Sequence, residues 1–443
     1  MLNNDTIAAI ATAPGTGGIG VVRVSGKKTK EIAGRIIGEL APKRMAGMRT
    51  FTNAAGDSLD SGLTLYFEGP DSYTGEDVLE LQGHGGPGVL RLILRACIEA
   101  GARLAQPGEF TQRAYLNNKL DLAQAESVAD LIGASSEAAV LSAHRSLSGE
   151  FSDRTEDIRR ELIETRVFVE AAIDFAEEEI DFLKDESVKD RLSSILQSLG
   201  ELRDSATQGN LLREGAKVVL AGEPNVGKST LMNLLSEEET SIVTEYAGTT
   251  RDSIQRQIIV GGIPMTVVDT AGLRKSDDPI ESIGIQRTLD HLKDADVIVY
   301  MQEAGNDADR QSLISDFEEA KSVIVLNKID LMGREEGLDD QSGVPVIYLS
   351  AKTGAGLEIL KKNLLEKVGA RLSEEVPFMA RERHLNALDR AVRHLSAALA
   401  NIAIIEFCAE ELRAAQDAIS EITGEFVADD LLGQIFSSFC VGK

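Results

Sequence analysis

Gly222-Glu223-Pro224-Asn225-Val226-Gly227-Lys228-Ser229 is the stretch on which the reading of this chain turns. It follows a short β-branched run, Val218–Ala221, and opens a helical pattern. In that strand–loop–helix setting, glycines let backbone N–H groups converge on phosphate oxygens. Lys228 brings a point charge to the terminal phosphates, and the Ser229 hydroxyl can bind Mg²⁺. A glycine-rich turn without a ligand is the competing reading, and it leaves the strand-to-helix context unexplained. Asn225, Val226, Gly227, Lys228, Ser229 and Thr230 are therefore the candidate phosphate cradle.

Three downstream signals point to the base. Asp269-Thr270-Ala271-Gly272 directly follows a strand run, placing a carboxylate near Mg²⁺ and a flexible glycine near the γ-phosphate. Asn327-Lys328-Ile329-Asp330 ends the run Val323–Leu326, and Asp330 can accept from both guanine N–H donors, which adenine does not offer. Ser350-Ala351-Lys352 follows the last run, where a segment of this kind contacts guanine O6. Each is weak alone; in this order, at the carboxyl ends of strands, they predict a GTP-binding domain from about Lys217 to Lys352.

Working outward, Ile254–Ile259, Met265–Val268, Val297–Met301 and Val346–Leu349 complete a set of β-branched runs, most of them separated by helical patterns. That pattern predicts a largely parallel, helix-covered sheet. On both sides the sequence turns helical, from about Lys119 to Gly209 and from about Phe378 to Gly424. The economical arrangement is one helical domain interrupted by an inserted α/β domain. The N-terminal part reads as α+β, with strands at Ile7–Thr12, Gly20–Val24, Leu63–Phe67 and Val78–Leu81 and one clear helix at Val89–Ala100. The expected domains are 1–118, 119–210, 215–370 and 375–443. The fold class is multidomain α/β plus α.

At 443 residues, with 43% hydrophobic and 27% charged residues, the composition is that of an ordinary soluble protein. No secretory signal or membrane-spanning stretch is visible, and Cys97, Cys408 and Cys440 are too scattered for a disulfide framework or zinc knuckle. A cytoplasmic location with no membrane partner is the expectation. The net charge of −26 argues against non-specific coating of nucleic acid. The charge is uneven: residues 1–120 carry 13 Lys/Arg against 12 Asp/Glu, leaving −27 to the remainder. The cluster Arg381, Arg383, His384, Arg390, Arg393 and His394 reads as a solvated helix face, with RNA contact as the alternative.

The hydrolytic machinery departs from the Ras pattern. Leu273 stands where Ras-like proteins place a water-orienting Gln, and a hydrophobic side chain cannot activate water. Thr249-Thr250-Arg251-Asp252 supplies a switch in which Thr250 reaches Mg²⁺. Arg251, beside Asp252, reads as half of a local pair rather than an arginine finger.

Gly-x-Pro-Asn-x-Gly-Lys-Ser, Ala247-Gly248-Thr249-Thr250-Arg251-Asp252 and Asp269-Thr270-Ala271-Gly272-Leu273-Arg274 together resemble the Era-like GTPases. The rest of the chain resembles the tRNA-modification GTPase family MnmE/TrmE. Carrying that likeness are Arg23-Val24-Ser25-Gly26, Leu79-Glu80-Leu81-Gln82-Gly83-His84-Gly85-Gly86, Asn118-Lys119-Leu120-Asp121 and the ending Phe439-Cys440-Val441-Gly442-Lys443. The resemblance implies an N-terminal folate-binding and dimerising domain, a helical domain from both sides of the insertion, and an inserted Ras-like P-loop GTPase domain. It implies a homodimer that, with a flavoprotein of the MnmG/GidA family, adds an aminomethyl or carboxymethylaminomethyl group to C5 of the wobble uridine of certain tRNAs. A 5-formyl- or methylene-tetrahydrofolate supplies the one-carbon unit, FAD and NADH belong to the partner, and the two proteins form a heterotetramer.

The resemblance also implies residue roles. Asn225, Thr244, Tyr246 and Thr249 would hold K⁺, which offsets charge at the β–γ bridge; on its own Asn225 reads as a loop amide. The segment Thr244, Glu245, Tyr246, Ala247, Gly248, Thr249 and Thr250 would join Thr270, Ala271 and Gly272 around GTP, with Mg²⁺ on Ser229 and Thr250. Glu281 would orient the water, although by itself it looks like a solvated helix-start residue. Arg23, Glu80, Lys119 and Lys443 would bind folate: Arg and Lys suit the glutamate-tail carboxylates, and Glu80 suits a pterin N–H edge. Without the motif context each reads as a surface charge or local ion pair. Cys440 would be a functional thiol; as a prenylation box it fails, since Gly442 is not aliphatic. His84-Gly85-Gly86 is not a lipase oxyanion loop, because no Gly-x-Ser-x-Gly accompanies it. Two other readings compete: a ribosome-assembly or signalling GTPase with partner-binding outer domains, and a folate sensor that gates the GTPase.

Overall fold

Burial alternates along the strands Gly20–Ser25 and Val78–Gly83, and the alternation sorts their side chains into two faces. Val22, Val24, Leu79 and Leu81 are fully buried on one side, while Arg23 and Glu80 stand on the other. The computed structural model describes residues 5–174, 186–238, 255–269, 293–305, 321–340, 343–371, 375–424 and 429–442. They divide into two compact units: Met1–Ile132 with Ser146–Leu199 and Ala387–Lys443, and Gly133–Arg145 with Gly200–Asn386.

The first unit is built on a six-stranded sheet of β1 (Ile7–Ile10), β2 (Gly20–Ser25), β3 (Gly47–Thr52), β4 (Ser58–Phe67), β5 (Val78–Gly83) and β6 (Arg103–Leu104). Their order is β3-β4-β5-β2-β1-β6, antiparallel except for β1 with β6. The helices α1 (Thr29–Ile36) and α2 (Pro87–Glu99) cover one face, where Ile32, Ile36, Ile93 and Cys97 join Val22, Leu79 and Phe51 in the main core. On the opposite face α3 (Glu109–Leu116) sets Phe110 against Ile7, Ala9 and Ala105.

Helices supply the rest of this unit. The start of α4 (Leu122–Gly133) carries a reciprocal capping box: Gln124 N–H donates to Asp121 Oδ1 at 2.8 Å, and Asp121 N–H donates to Gln124 Oε1 at 3.0 Å. The long helices α6 (Glu150–Asp174) and α7 (Glu186–Glu214) follow α5 (Glu137–Leu147); α5 up to Arg145 and α7 from Gly200 are counted in the second unit. From the far side of the inserted segment, α10 (Glu382–Ala400), α11 (Ile405–Thr423) and α12 (Asp429–Ser437) complete the bundle. Arg166 of α6 donates to Gln416 of α11 at 2.8 Å, so the two sequence-distant helical stretches form one body. Within the basic cluster, Arg390 pairs with Glu421 and His394 with Glu411, tying α10 to α11. Cys97 and Cys408 are buried, as their apolar helical patterns predict.

The second unit holds a seven-stranded sheet: β7 (Ala216–Gly222), β8 (Gln255–Val260), β9 (Ile263–Asp269), β10 (Val297–Glu303), β11 (Ser322–Asn327), β12 (Gly337–Asp339) and β13 (Val346–Tyr348). The order is β12-β13-β11-β10-β7-β9-β8, parallel from β13 to β9 and antiparallel at the two edges. With α8 (Lys228–Glu238) and α9 (Leu357–Lys367), this is the Ras-like P-loop architecture expected. The chain steps from β7 to one side of the sheet and then returns to the other, which opens a crevice at the carboxyl end of β7. The phosphate loop lies there.

The structure adds β3, β6, β12, α1 and α3 to the expected elements. Among these, β3 and β12 are edge strands, and in β3 only Phe51 is buried, so neither needs an apolar run. Eight residues with four buried, α1 presents too short a period to stand out. The helix expected from Val89 begins at Pro87, which fits the first helical turn because its missing N–H is not needed there. No described helix is long and apolar enough to cross a membrane.

Candidate functional site

The loop after β7 is shaped before any ligand is considered. Asn225 and Gly227 take left-handed backbone, at φ of 65° and 103°. Lys228 is buried, and its Nζ donates to the carbonyls of Gly222 and Glu223, both at 2.9 Å, curling the loop around the ammonium. Ser229 Oγ donates to Asp269 Oδ2 at 3.0 Å. Asp269 is buried, yet its Oδ1 has no hydrogen-bond partner among the described residues. A buried carboxylate oxygen left open beside a serine hydroxyl suits a hard cation, so these residues fit Mg²⁺.

The base side is joined to the phosphate loop through Asn327, at the end of β11. Its Nδ2 donates to Val226 O at 2.7 Å, and its Oδ1 accepts from Ala351 N–H at 2.9 Å. One buried amide thus ties the phosphate loop to the Ser350-Ala351-Lys352 segment. Lys328 takes φ of 68° and pairs with Glu303. Asp330 Oδ1 accepts from Ser350 Oγ at 2.7 Å, orienting the exposed carboxylate beside a cavity of about 470 Å³ that Thr353 and Ala355 also line. Lys352 and Thr230 are exposed. Thr244, Glu245, Tyr246, Ala247, Gly248, Thr249, Thr250, Thr270, Ala271, Gly272 and Glu281 lie outside the described residues, as does Lys443.

A second constellation occupies the first unit. Ala9, Arg23, Glu80 and Leu65 are register partners across β1, β2, β5 and β4. Arg23 Nε and Nη2 both donate to Glu80 Oε1, at 3.1 and 2.9 Å. The two residues expected to meet opposite ends of a folate are therefore one ion pair. The Arg23 guanidinium stands 5.7 Å from the ring centres of both Tyr73 and Phe110. Tyr73 OH lies 2.8 Å from Thr111 Oγ1, and burial pushes the Tyr73 phenol up from its ordinary value. Two residues on, Gly75 adjoins Lys119, whose side chain is exposed. Behind this face, buried Arg113 binds Glu76, Glu109 and Asp5, and Arg103 holds Asp5 and Glu109 from outside.

The C-terminal tail reaches the same domain. Phe436 and Phe439 pack with Tyr115 and Leu122, and Gly108 N–H donates to Cys440 O at 3.3 Å. At Gly108, φ is 67° and an added Cβ would stand 2.6 Å from Phe436 O, so only glycine permits this approach. Val441 bridges Pro107, and Gly442 lies against Ile10 and Ala11, next to the residue that pairs with Arg23. The Cys440 side chain is exposed. Tyr73, Phe110 and Thr111 carry no motif; an aromatic in the polar, glycine-containing loop Asp71–Gly75 was their only signal.

Comparison with known proteins bears on the whole chain. The family model described as MnmE helical domain matches residues 122–440, and the one described as GTP-binding protein TrmE N-terminus matches 6–119. A tRNA modification GTPase MnmE from Chromobacterium violaceum is 53% identical over 442 residues, covering 99% of this chain and 98% of its own. The chain belongs to the MnmE family. A second relative with that description, from Hydrogenovibrio crunogenus, is 50% identical and covered at 99% on both sides. Among solved structures, the G domain of the T. maritima FeoB iron transporter is 27% identical, covers 34% of this chain and 98% of its own, and has a TM-score of 0.27. The assignment of the second sheet rests on its strand order rather than on that likeness. Family membership makes the chain a GTPase and sets aside the reading as an assembly factor.

Proposed function

We propose that this GTPase works with a flavoprotein of the MnmG/GidA family to add an aminomethyl or carboxymethylaminomethyl group to C5 of the wobble uridine of certain tRNAs. The one-carbon unit comes from 5-formyl- or methylene-tetrahydrofolate bound by Arg23, Glu80, Lys119 and Lys443. The single observation that supports this reading best is the half-buried Arg23–Glu80 pair, on the sheet face that α3 also packs against, with Tyr73 and Phe110 beside the guanidinium and the Cys440 tail on the same domain. A GTPase that only switches needs no such site.

In this reading, Asn225, Val226, Gly227, Lys228, Ser229, Thr230, the switch 244–250, Asp269–Gly272, Asn327, Lys328, Asp330, Ser350, Ala351 and Lys352 bind GTP. Mg²⁺ rests on Ser229 and Thr250, and K⁺ on Asn225, Thr244, Tyr246 and Thr249. Glu281 orients the attacking water. The protein acts in the cytoplasm as a homodimer, within a heterotetramer whose flavoprotein carries FAD and uses NADH. In this reading the domains are 1–118, 119–210, 215–370 and 375–443.

The test is mass spectrometry of tRNA nucleosides from cells lacking this protein, complemented with wild type or Cys440→Ser. C5-modified wobble uridine should disappear and return with wild type only. Full modification in the Cys440→Ser strain would make the thiol structural. An unchanged profile in the deletion strain would overturn the tRNA reading.

A further inference from the structure

Arg23 is a long side chain with many rotamers, and the structure leaves it few. Glu80 tethers two of its nitrogens, and two aromatic rings stand 5.7 Å from its guanidinium. Phe110 is fully buried core on α3 and needs no further support. Tyr73 is different, because it lies in the irregular segment between β4 and β5. Its anchor is the hydroxyl, 2.8 Å from the hydroxyl of Thr111, which is itself fully buried and adjacent to Phe110. Helix α3 therefore sets both rings, one directly and the other through a single hydrogen bond.

We propose that Tyr73 is a positioning residue of the folate site, acting through Arg23. Held by Thr111, its ring fixes the plane of the Arg23–Glu80 pair, so that guanidinium donors and a carboxylate acceptor stand side by side. This inference rests on the folate reading and refines it. Arg23 and Glu80 are within 3 Å of each other, so they act on one end of the ligand rather than on two. A pterin offers N–H donors beside a carbonyl acceptor, the complement of that pair. Exposed Lys119, beside Gly75, is left for the glutamate-tail carboxylates.

The experiment is calorimetric titration of the full-length protein with 5-formyl-tetrahydrofolate, using Arg23→Ala, Tyr73→Leu, Tyr73→Phe and Thr111→Val. Arg23→Ala should abolish measurable binding. Tyr73→Leu should weaken it about tenfold, equivalent to roughly 1.4 kcal/mol, within the range of a partly buried cation–π contact. Tyr73→Phe, which keeps the ring and loses the hydroxyl anchor, should recover part of that loss and settle about threefold below wild type, matching Thr111→Val. A merely structural tyrosine would not give this graded order of affinities among folded variants. Wild-type affinity in Tyr73→Leu, with binding lost in Arg23→Ala, would overturn the positioning role and leave the folate reading intact. Wild-type affinity in Arg23→Ala would overturn the folate reading itself. Should Tyr73→Leu fail to fold, Thr111→Val keeps both rings and removes only the anchor. Its affinity should fall by about threefold, and an unchanged value would refute the proposal.

Discussion

Asn327→Ala should damage nucleotide binding more than its distance from the phosphates suggests. The side chain is 3% exposed and makes two hydrogen bonds, donating to Val226 O at 2.7 Å and accepting from Ala351 N–H at 2.9 Å. Truncation leaves a carbonyl and an amide N–H without partners in a region where Val226 and Ala351 are each only 4% exposed. A buried group deprived of its partner costs about 1–3 kcal/mol, so the pair costs roughly 2–6 kcal/mol, the lower part of the range if water enters the gap. If half of about 4 kcal/mol falls on the competent loop arrangement, affinity drops on the order of thirtyfold. GTP and GDP should be affected alike, because the amide touches the loop backbone and the base segment rather than the γ-phosphate. The assay is titration with fluorescent GDP and GTP analogues, with Asn327→Asp as a second variant. The carboxylate keeps an acceptor for Ala351 but turns a second acceptor towards Val226 O, so it should not rescue. Affinity within about threefold of wild type in Asn327→Ala, or full rescue by Asp, would refute the staple.

Replacing K⁺ by Na⁺ should slow GTP hydrolysis by at least about tenfold, while equal turnover in the two salts would eliminate the potassium site on Asn225. Glu281→Ala should retain GTP affinity and lose hydrolysis by about 100-fold or more, which single-turnover kinetics would resolve; undiminished turnover excludes the residue as the water-orienting group. Arg103, with Arg113 behind it, holds the Asp5 carboxyl below its ordinary value. Such a depressed carboxylate contributes stability that is present above its unfolded pKa of about 3.9 and lost as pH falls through the folded value. Hydrogen-exchange protection of β1 should therefore fall with pH below about 4 in wild type, and Asp5→Asn should be weaker at neutral pH with that dependence reduced. An identical pH profile in the variant would separate Asp5 from the stability of this sheet.

The two sites were readable in the sequence to different degrees, for a physical reason. A phosphate loop is made of consecutive backbone, so Gly222–Ser229 shows its glycines, lysine and serine at one place in the chain, and the strand and helix around it follow from local periodicity. Even there, the contact that joins the loop to the base segment was hidden: Asn327 and Val226 are separated by 101 positions. The motif names the asparagine without saying what it holds. The folate face is cross-strand throughout. Arg23 and Glu80 become neighbours only because β2 pairs with β5, a register that neither strand carries within itself. Resemblance singled out both residues, yet it left them as separate contacts on a ligand, and only the geometry makes them a pair. Tyr73 and Thr111 lie one step further from view, since their role exists through a third residue. The same logic applies to charge. Asp5, Glu76, Glu80 and Glu109 are committed to Arg23, Arg103 and Arg113 on one side of the first sheet. Part of the near-neutral total of the N-terminal segment is therefore paired charge built into this face, and a count of residues cannot distinguish that from a surface on which charges are merely mixed.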